Sequence, residues 1–171
     1  MNNMKEIRIE KITLNIGVGA PGEKMEKAKK ILKSLTGIDA KETSSMKRIP
    51  SWGVRPRLSI ACKVTVRGKE KTKELLSRLL YALGNKIPAS KFDPRGNFSF
   101  GIEEYINIKN LEYDPHVGII GLEAAVSLER PGFRVKRRKI QAGKISPKHQ
   151  IKKEEAITFI EKMFHVEVSN K

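Results

Sequence analysis

The strongest constraint on the fold of this chain is an alternation from Leu58 to Arg67, in which every second residue is apolar and the residues between them are polar except Ala61. Side chains of a β-strand point alternately to opposite faces, so the pattern predicts a strand with one buried and one exposed face. The same period recurs from Lys11 to Ile16, from Asn97 to Ile102 and from Leu122 to Leu128. Strands of this half-exposed kind are typical of antiparallel sheets.

Helical stretches supply the cover that the buried face of such a sheet needs. Apolar residues three and four apart predict helices over Glu23–Leu35, Lys69–Leu83 and Glu154–Phe164, and Gly37 is placed to end the first. These elements predict an α+β fold, with a mainly antiparallel sheet, helices packed on one face and the other face open. A chain of 171 residues suits one domain spanning 1–171.

The net charge predicts the class of partner. The chain holds 35 Lys and Arg residues against 19 Asp and Glu, which gives a formal net charge of +16 at pH 7. A domain this basic usually binds a polyanion, and nucleic acid is the commonest one. Much of the charge lies in two segments, which we name the basic loop (39–57) and the basic segment (130–153).

The basic segment is expected to act on phosphates. It contains no acidic residue, whereas a solvated surface normally mixes both signs of charge. We therefore expect a basic C-terminal extension that contacts RNA phosphates through side chains such as Arg134, Arg137 and Arg138. Within it Phe133, like Trp52 in the basic loop, either stacks on bases or anchors its own loop to the core.

Catalytic and metal-binding groups are not indicated. The single cysteine, Cys62, excludes an internal disulfide and a multi-cysteine zinc site, and the histidines share no ligand spacing. Glu103-Glu104 would point to opposite faces of a strand, and the histidine of Asp114-Pro115-His116 is a lone one in a loop. The sequence thus predicts no metal, no cofactor and no enzymatic activity.

A membrane partner is not expected either. The sequence has no apolar run near the ~20 residues that a membrane-spanning helix requires. Its first residues also lack the apolar stretch of a secretory signal. We expect a cytoplasmic protein.

The turn Gly17–Gly22 leaves an alternative open. Its sequence, GVGAPG, follows a predicted strand and opens a helix, as the glycine-rich turn of a dinucleotide-binding enzyme does. The rest of the chain does not alternate strand and helix as that fold requires. The other interpretation is a tight turn that nucleic acid approaches closely, with helix amides free to contact phosphate. A DNA-binding architectural protein is a further alternative.

The open face of the sheet is the predicted binding surface. Its outward residues are hydrogen-bonding and basic side chains: Thr13, Asn15, Ser59, Lys63, Thr65, Arg67, Asn97 and Ser99. Any half-exposed sheet carries polar residues outward. Together with the charge of +16, however, they favour RNA recognition by shape and phosphate.

Four blocks in order along the chain resemble one family. They are residues 8–19 (RIEKITLNIGVG), 63–68 (KVTVRG), 92–104, where FD and GNFSFGIEE stand, and 128–135 (LERPGFRV). Their sequence and order are similar to those of the universal large-subunit ribosomal protein five family, the 5S rRNA binders, in its archaeal and eukaryotic branch. The resemblance covers nearly the whole chain.

The resemblance implies partners and site residues. It implies a place in the central protuberance of the large subunit of the cytoplasmic ribosome, with 5S rRNA, large-subunit rRNA and neighbouring ribosomal proteins as partners. The implied 5S contacts are Asn15, Gly17, Lys63, Thr65, Arg67, Asn97 and Ser99, to which the outward face adds Thr13. It implies that the loop 44–57 reaches the P-site tRNA, which makes Lys47, Arg48, Trp52, Arg55 and Arg57 the tRNA-proximal residues. It also implies a bridge to a small-subunit head protein.

Overall fold

A computed structural model describes residues 3–109, 111 and 118–169 of the chain. The sequence Asp114-Pro115-His116 lies outside the described residues.

The described strands confirm the predicted α+β class with a mainly antiparallel sheet. They are β1 (Arg8–Gly17), β2 (Lys41–Ser44), β3 (Ser59–Arg67), β4 (Lys86–Pro88), β5 (Phe98–Ile102), β6 (Leu122–Glu129) and β7 (Glu167–Ser169). Five of them form one sheet in the order β2-β3-β1-β6-β5. The predicted alternation holds from Cys62 to Arg67 in β3, where Cys62, Val64 and Val66 are buried and the residues between them are exposed. It does not hold at the start of the strand, where Ser59, Ile60 and Ala61 are all half-buried.

The described helices are α1 (Glu23–Thr36), α2 (Lys69–Ala82), α3 (Arg134–Arg137) and α4 (Lys153–Phe164). The short α3 was not predicted, and the other three lie within two residues of their predicted bounds. Gly37 ends α1 in the left-handed conformation at φ 69°, and its amide donates to Lys33 O. Among the described residues, no helix combines the length and apolar character needed to cross a bilayer.

The chain divides into two compact units. The first, here called the terminal unit, comprises residues 1–12, 67–99 and 125–171. The second, here called the central unit, comprises residues 13–66 and 100–124. In the central unit α1 buries Met25, Ala28, Ile31, Leu32 and Leu35. In the terminal unit α2 and α4 bury an apolar set that includes Leu75, Leu76, Leu79, Leu80, Ala156 and Ile160.

The assignment of residues 39–57 to a loop is wrong in part. Lys41–Ser44 forms the edge strand β2, antiparallel to β3, with Glu42 opposite Cys62. A strand at the edge of a sheet can expose both faces, so its sequence KETS carries no apolar alternation. Beyond β2 the loop is closed at its base, where Ser45 N donates to Leu58 O and Arg57 N donates to Ser45 O.

A second, smaller sheet was missed. Strands β4 and β7 pair in parallel, with Ile87 opposite Val168. Each contains three residues, which is too short for a period to show in the sequence.

Asn97 does not lie on the outward face of a strand, contrary to the prediction. It precedes β5, and its Nδ2 donates to Asp93 Oδ2 at 3.0 Å while its Oδ1 accepts from Leu128 N at 3.2 Å. The side chain therefore stabilises the turn before β5. Asp93 accepts from the amides of both Arg95 and Asn97, as the Asp-Pro-Arg-Gly turn sequence indicates.

The basic segment is a folded connection, not a C-terminal extension. It joins β6 to α4, and α4 is followed by β7. It contains α3 and a 3₁₀ turn at Pro147–His149. Its first residue, Arg130, is buried and forms an ion pair with Glu155, so this cation serves the fold.

Candidate nucleic-acid interface

In the central unit, the predicted contact residues lie on the exposed side of the strands. Lys63 and Thr65 are exposed because their neighbours in β3 are the buried ones. Thr13 and Asn15 are half-buried on β1, and Gly17 is exposed at its end. Asn15 Nδ2 donates to Glu123 Oε2 at 3.3 Å. This surface offers ammonium, hydroxyl and amide groups to a ligand, with one carboxylate among them.

The turn Gly17–Gly22 does not present free amides throughout. Val18 N and Gly19 N both donate to Ile60 O, at 2.9 and 2.8 Å. The first turn of α1 carries Glu23 and Glu26, whose carboxylates repel an anion at that helix end. The turn is therefore hydrogen-bonded to β3. The phosphate contact expected at the N-terminus of α1 is disfavoured.

The dinucleotide-binding alternative is wrong on topology. That fold needs the strand after the first helix to pair in parallel beside the first strand or its neighbours. Here β2 follows α1, pairs antiparallel with β3 and lies at the edge of the sheet.

In the terminal unit, two carboxylates form ion pairs with three arginines. Glu10 Oε1 lies 3.2 Å from Arg67 Nη1, and Glu10 Oε2 lies 2.6 Å from Arg137 Nη2. The same Arg137 nitrogen lies 3.0 Å from Glu129 Oε2, and Arg8 Nε lies 3.1 Å from Glu129 Oε1. We call these five residues the arginine–glutamate network. It brings together Arg67 and Arg137, which the sequence analysis placed on separate surfaces.

The network holds its arginines at fixed positions while leaving them accessible. The side chains of Glu10 and Glu129 are only 10% and 16% exposed, whereas that of Arg67 is 60% exposed. A guanidinium has five donors, so an arginine that binds one carboxylate keeps donors for a phosphate. Arg8, Glu10 and Glu129 were not predicted as site residues. Their signal in the sequence was an acidic residue next to basic ones, since Glu10 precedes Lys11 and Glu129 precedes Arg130.

The remaining candidates of the terminal unit are scattered. Ser99 is exposed on β5. Arg134 and Arg138 are exposed in the basic segment, and Arg138 Nε donates to Gln141 O at 2.6 Å. Phe133 is half-buried, edge-on to the His149 ring at 5.8 Å between centroids.

The basic loop presents both charge and an aromatic ring. Lys47, Arg48, Arg55 and Arg57 are all exposed. The side chain of Trp52 is 76% exposed, which excludes the interpretation that it anchors the loop. That role falls to Val54, which is 7% exposed and pairs with Ile49 by backbone hydrogen bonds in both directions. The ring of Trp52 is therefore free to stack on a base.

Titratable groups of the described residues point to structural roles. Burial raises the pKa of the Cys62 thiol, so it stays protonated at neutral pH. The Lys152 amide, followed by the Arg130 guanidinium, lowers the pKa of the Glu155 carboxyl. Among these residues no group of three acidic, cysteine or histidine side chains is arranged to hold a metal ion.

Comparison with known proteins gives one consistent family. The model described as ribosomal protein L5 matches residues 2–55, and a second model, for the C-terminus of the same ribosomal family, matches residues 59–159. A protein named large ribosomal subunit protein uL5 from Nanoarchaeum equitans is 50% identical over 165 residues, which are 96% of this chain and 97% of that protein. Proteins of the same name from Sulfurisphaera tokodaii and Methanococcus vannielii are each 44% identical. They cover 98% and 96% of this chain, and 95% and 92% of their own lengths.

Proposed function

The chain belongs to the ribosomal protein L5 family, and from this membership we propose that it attaches 5S rRNA to the large ribosomal subunit. It is a structural constituent of that subunit in the cytoplasmic ribosome. Its partners are ribosomal RNA and ribosomal proteins. The finer assignment to 5S rRNA, in the central protuberance, rests on the blocks of sequence that resemble the 5S-binding family.

The single observation that best supports RNA binding is the presentation of fixed cations by strands. Lys63 projects from β3 in the central unit, and Arg67 is held by Glu10 in the terminal unit. Thr65 adds a hydroxyl on the same strand, suited to phosphate oxygens or ribose 2′-hydroxyls. Side chains on rigid strands recognise the shape of a folded RNA better than side chains on flexible tails do.

We extend the proposal to the basic loop, which would contact the P-site tRNA. Four exposed cations and the exposed Trp52 ring suit a phosphate backbone and an accessible base. The same proposal includes a bridge to a small-subunit head protein and contacts with neighbouring proteins of the central protuberance. We also propose that residues 1–171 act as one ribosomal-protein domain that performs no catalysis.

A filter-binding titration tests the 5S assignment. Labelled 5S rRNA is titrated with the full chain at two salt concentrations, with duplex RNA and duplex DNA of equal length as competitors. Specific recognition predicts that binding to 5S rRNA survives an excess of both competitors. If all three polyanions compete equally, the charge of +16 acts alone and the 5S assignment is wrong. Preferential binding of duplex DNA would favour the architectural alternative.

Matched variants locate the interface. Lys63→Ala and Lys30→Ala each remove one exposed lysine, the first from β3 and the second from α1. We expect Lys63→Ala to weaken 5S binding by more than the general loss of one charge, which Lys30→Ala measures. Equal losses would show that β3 is not the recognition surface.

A further inference from the structure

A cavity in the terminal unit is not explained by the fold or by the surfaces described above. Its volume is about 600 Å³, within the range of small-molecule sites. Three cations line it, Arg95, Lys136 and Lys144, and no acidic residue of the described chain does. Its apolar lining is formed by Phe133, Ile145, Pro147 and Ile151.

Three segments of chain assemble this cavity, and each is held in place. The turn at Asp93–Asn97 positions Arg95, because the Asp93 carboxylate accepts from the Arg95 amide at 2.9 Å. Gly96 in that turn lies so close to Ile151 that an added Cβ would meet Ile151 Cγ2 at 2.6 Å. The apolar floor and the first cation are thus packed together.

The other two cations are brought together by a closed turn after α3. Arg138 Nε donates to Gln141 O, and Gly143 N donates to Val135 O at 3.2 Å. These bonds return the chain from Lys136 on α3 to Lys144 beside the same cavity. Both lysines are exposed beside a cavity whose described lining holds no acidic residue, so the site is positively charged and favours an anionic occupant.

The lining indicates the rest of the ligand. A phosphate alone would leave the half-buried Phe133 ring and Ile145 side chain partly facing water. A nucleotide satisfies both halves, because its base is a flat ring system that packs on aromatic and apolar side chains. Its phosphate supplies the negative charge that the cations attract.

We propose that this cavity binds one unstacked nucleotide of an RNA strand, with its base against Phe133 and Ile145 and its phosphate at Lys136 and Lys144. The inference rests on the proposed function in one respect only, namely that the partner is RNA. It names a second mode of recognition, insertion of a single base, in addition to contacts from the strands.

A short hairpin RNA with one bulged 2-aminopurine provides the probe. Its control is the same hairpin with 2-aminopurine paired to uracil in the stem. The full chain is expected to bind the bulged hairpin about fivefold or more tightly than the paired one, as stacking of one base predicts. The 2-aminopurine emission should change on binding only in the bulged hairpin. Equal affinity for both RNAs would overturn the proposal.

Two lysine variants separate the cavity from general electrostatics. Lys144→Ala removes a cavity cation, whereas Lys148→Ala removes an exposed lysine of the same segment that does not line the cavity. Lys144→Ala should abolish most of the preference for the bulged RNA, and Lys148→Ala should weaken both RNAs alike. If both variants behave alike, the cavity is not the site.

Phe133→Leu tests the stacking step while keeping an apolar side chain in the floor. We expect a smaller emission change and a reduced preference for the bulged RNA, with circular dichroism unchanged. Adenosine monophosphate is the final competitor. If the free nucleotide displaces the bulged RNA at equal molar concentration, the proposal that the cavity binds a nucleotide within a strand is wrong. Because no 5S rRNA is present, failure here leaves the 5S titration unaffected, and failure of that titration leaves these hairpins informative.

Discussion

At the scale of single residues, close packing explains why position 96 is a glycine. Gly96 has φ 79°, a conformation that favours glycine, and its Cα faces Ile151 and Ala156 in the terminal unit. Asn97 beside it is predicted as an RNA contact, and within the protein its side chain bonds to Asp93 and to the Leu128 amide. A polar residue next to a turn therefore serves the turn, whether or not it also faces a ligand.

Gly96→Ala should destabilise the protein by about 2–4 kcal/mol, from strain at positive φ and from overlap with Ile151. Chemical denaturation measures the loss. Gly101→Ala is the control, because Gly101 has no atom within 4 Å of an added Cβ and no positive φ. Similar losses for both variants would show that the close approach to Ile151 does not matter.

Glu155→Gln should lower stability by about 1–2 kcal/mol at neutral pH, allowing for the screening of a half-exposed carboxylate. The Lys152 amide and then Arg130 lower the pKa of Glu155, so its ionised form stabilises the fold. This contribution is full above the ordinary carboxyl pKa of 4.5 and is lost as pH falls through the lowered value.

Thermal unfolding across pH checks that expectation. The gap in Tm between wild type and Glu155→Gln should be widest near neutral pH and should close in acid. Glu154→Gln, at the neighbouring exposed position, is the control and should follow the wild type. A gap that stays constant down to the most acidic pH would contradict a role for the charge.

At the scale of elements, an alternating sequence predicted strands reliably, whereas the lack of alternation did not exclude a strand. The alternation in β3, β5 and β6 and the apolar stripes of α1, α2 and α4 were visible because one side of each is buried. Strand β2 escaped prediction because an edge strand need not bury a face. Likewise, the arginine–glutamate network could not be predicted, because it depends on which strands become neighbours.

Within the basic loop, Val54→Ala should cost about 1–2 kcal/mol, since Val54 is the buried residue that holds the hairpin-like turn. Trp52→Ala should change stability by less than about 0.5 kcal/mol, since its ring is mostly exposed. Urea unfolding of both variants gives the comparison. A large loss for Trp52→Ala would restore the anchoring interpretation that its exposure excludes.

The network also changes what is expected of Arg137. The basic segment suggests that one of its many cations is dispensable, yet Arg137 neutralises both Glu10 and Glu129. Arg137→Ala should therefore weaken 5S binding at least as much as Arg67→Ala, because it removes the cation shared by both carboxylates and leaves only Arg8 on Glu129 and Arg67 with Lys11 on Glu10. Titrations of the two variants decide this, with Lys30→Ala as the control; a near-normal affinity for Arg137→Ala would contradict it.

At the scale of the whole molecule, a charge of +16 makes salt the decisive variable. If six to ten phosphates are contacted, the logarithm of the binding constant should fall with the logarithm of salt concentration at a slope of roughly −5 to −9. A titration series in KCl measures that slope for 5S rRNA. A slope near zero would mean that phosphate contacts contribute little.

The composition and order of the sequence were enough to predict the fold class and the family of this molecule. They did not predict the cavity beside Phe133, because it forms where residues 133–151 fold back on themselves and meet the distant Arg95. Nor did they predict the short helix α3 and the 3₁₀ turn that fold the basic segment between β6 and α4. Local patterns report burial of a face, whereas cavities and ion networks depend on the packing of distant segments.

The division of the chain into two interleaved units has a consequence for its synthesis. Residues 1–12 leave the ribosomal exit tunnel before the rest, yet they belong to a unit whose last segment begins at residue 125. Strand β7 pairs with β4, so that unit is complete only when residues 167–169 have emerged. The central unit has all its residues by position 124 and can form earlier. The first residues of β1 therefore lack their full set of partners through most of translation. During that period a holding chaperone would protect them from aggregation.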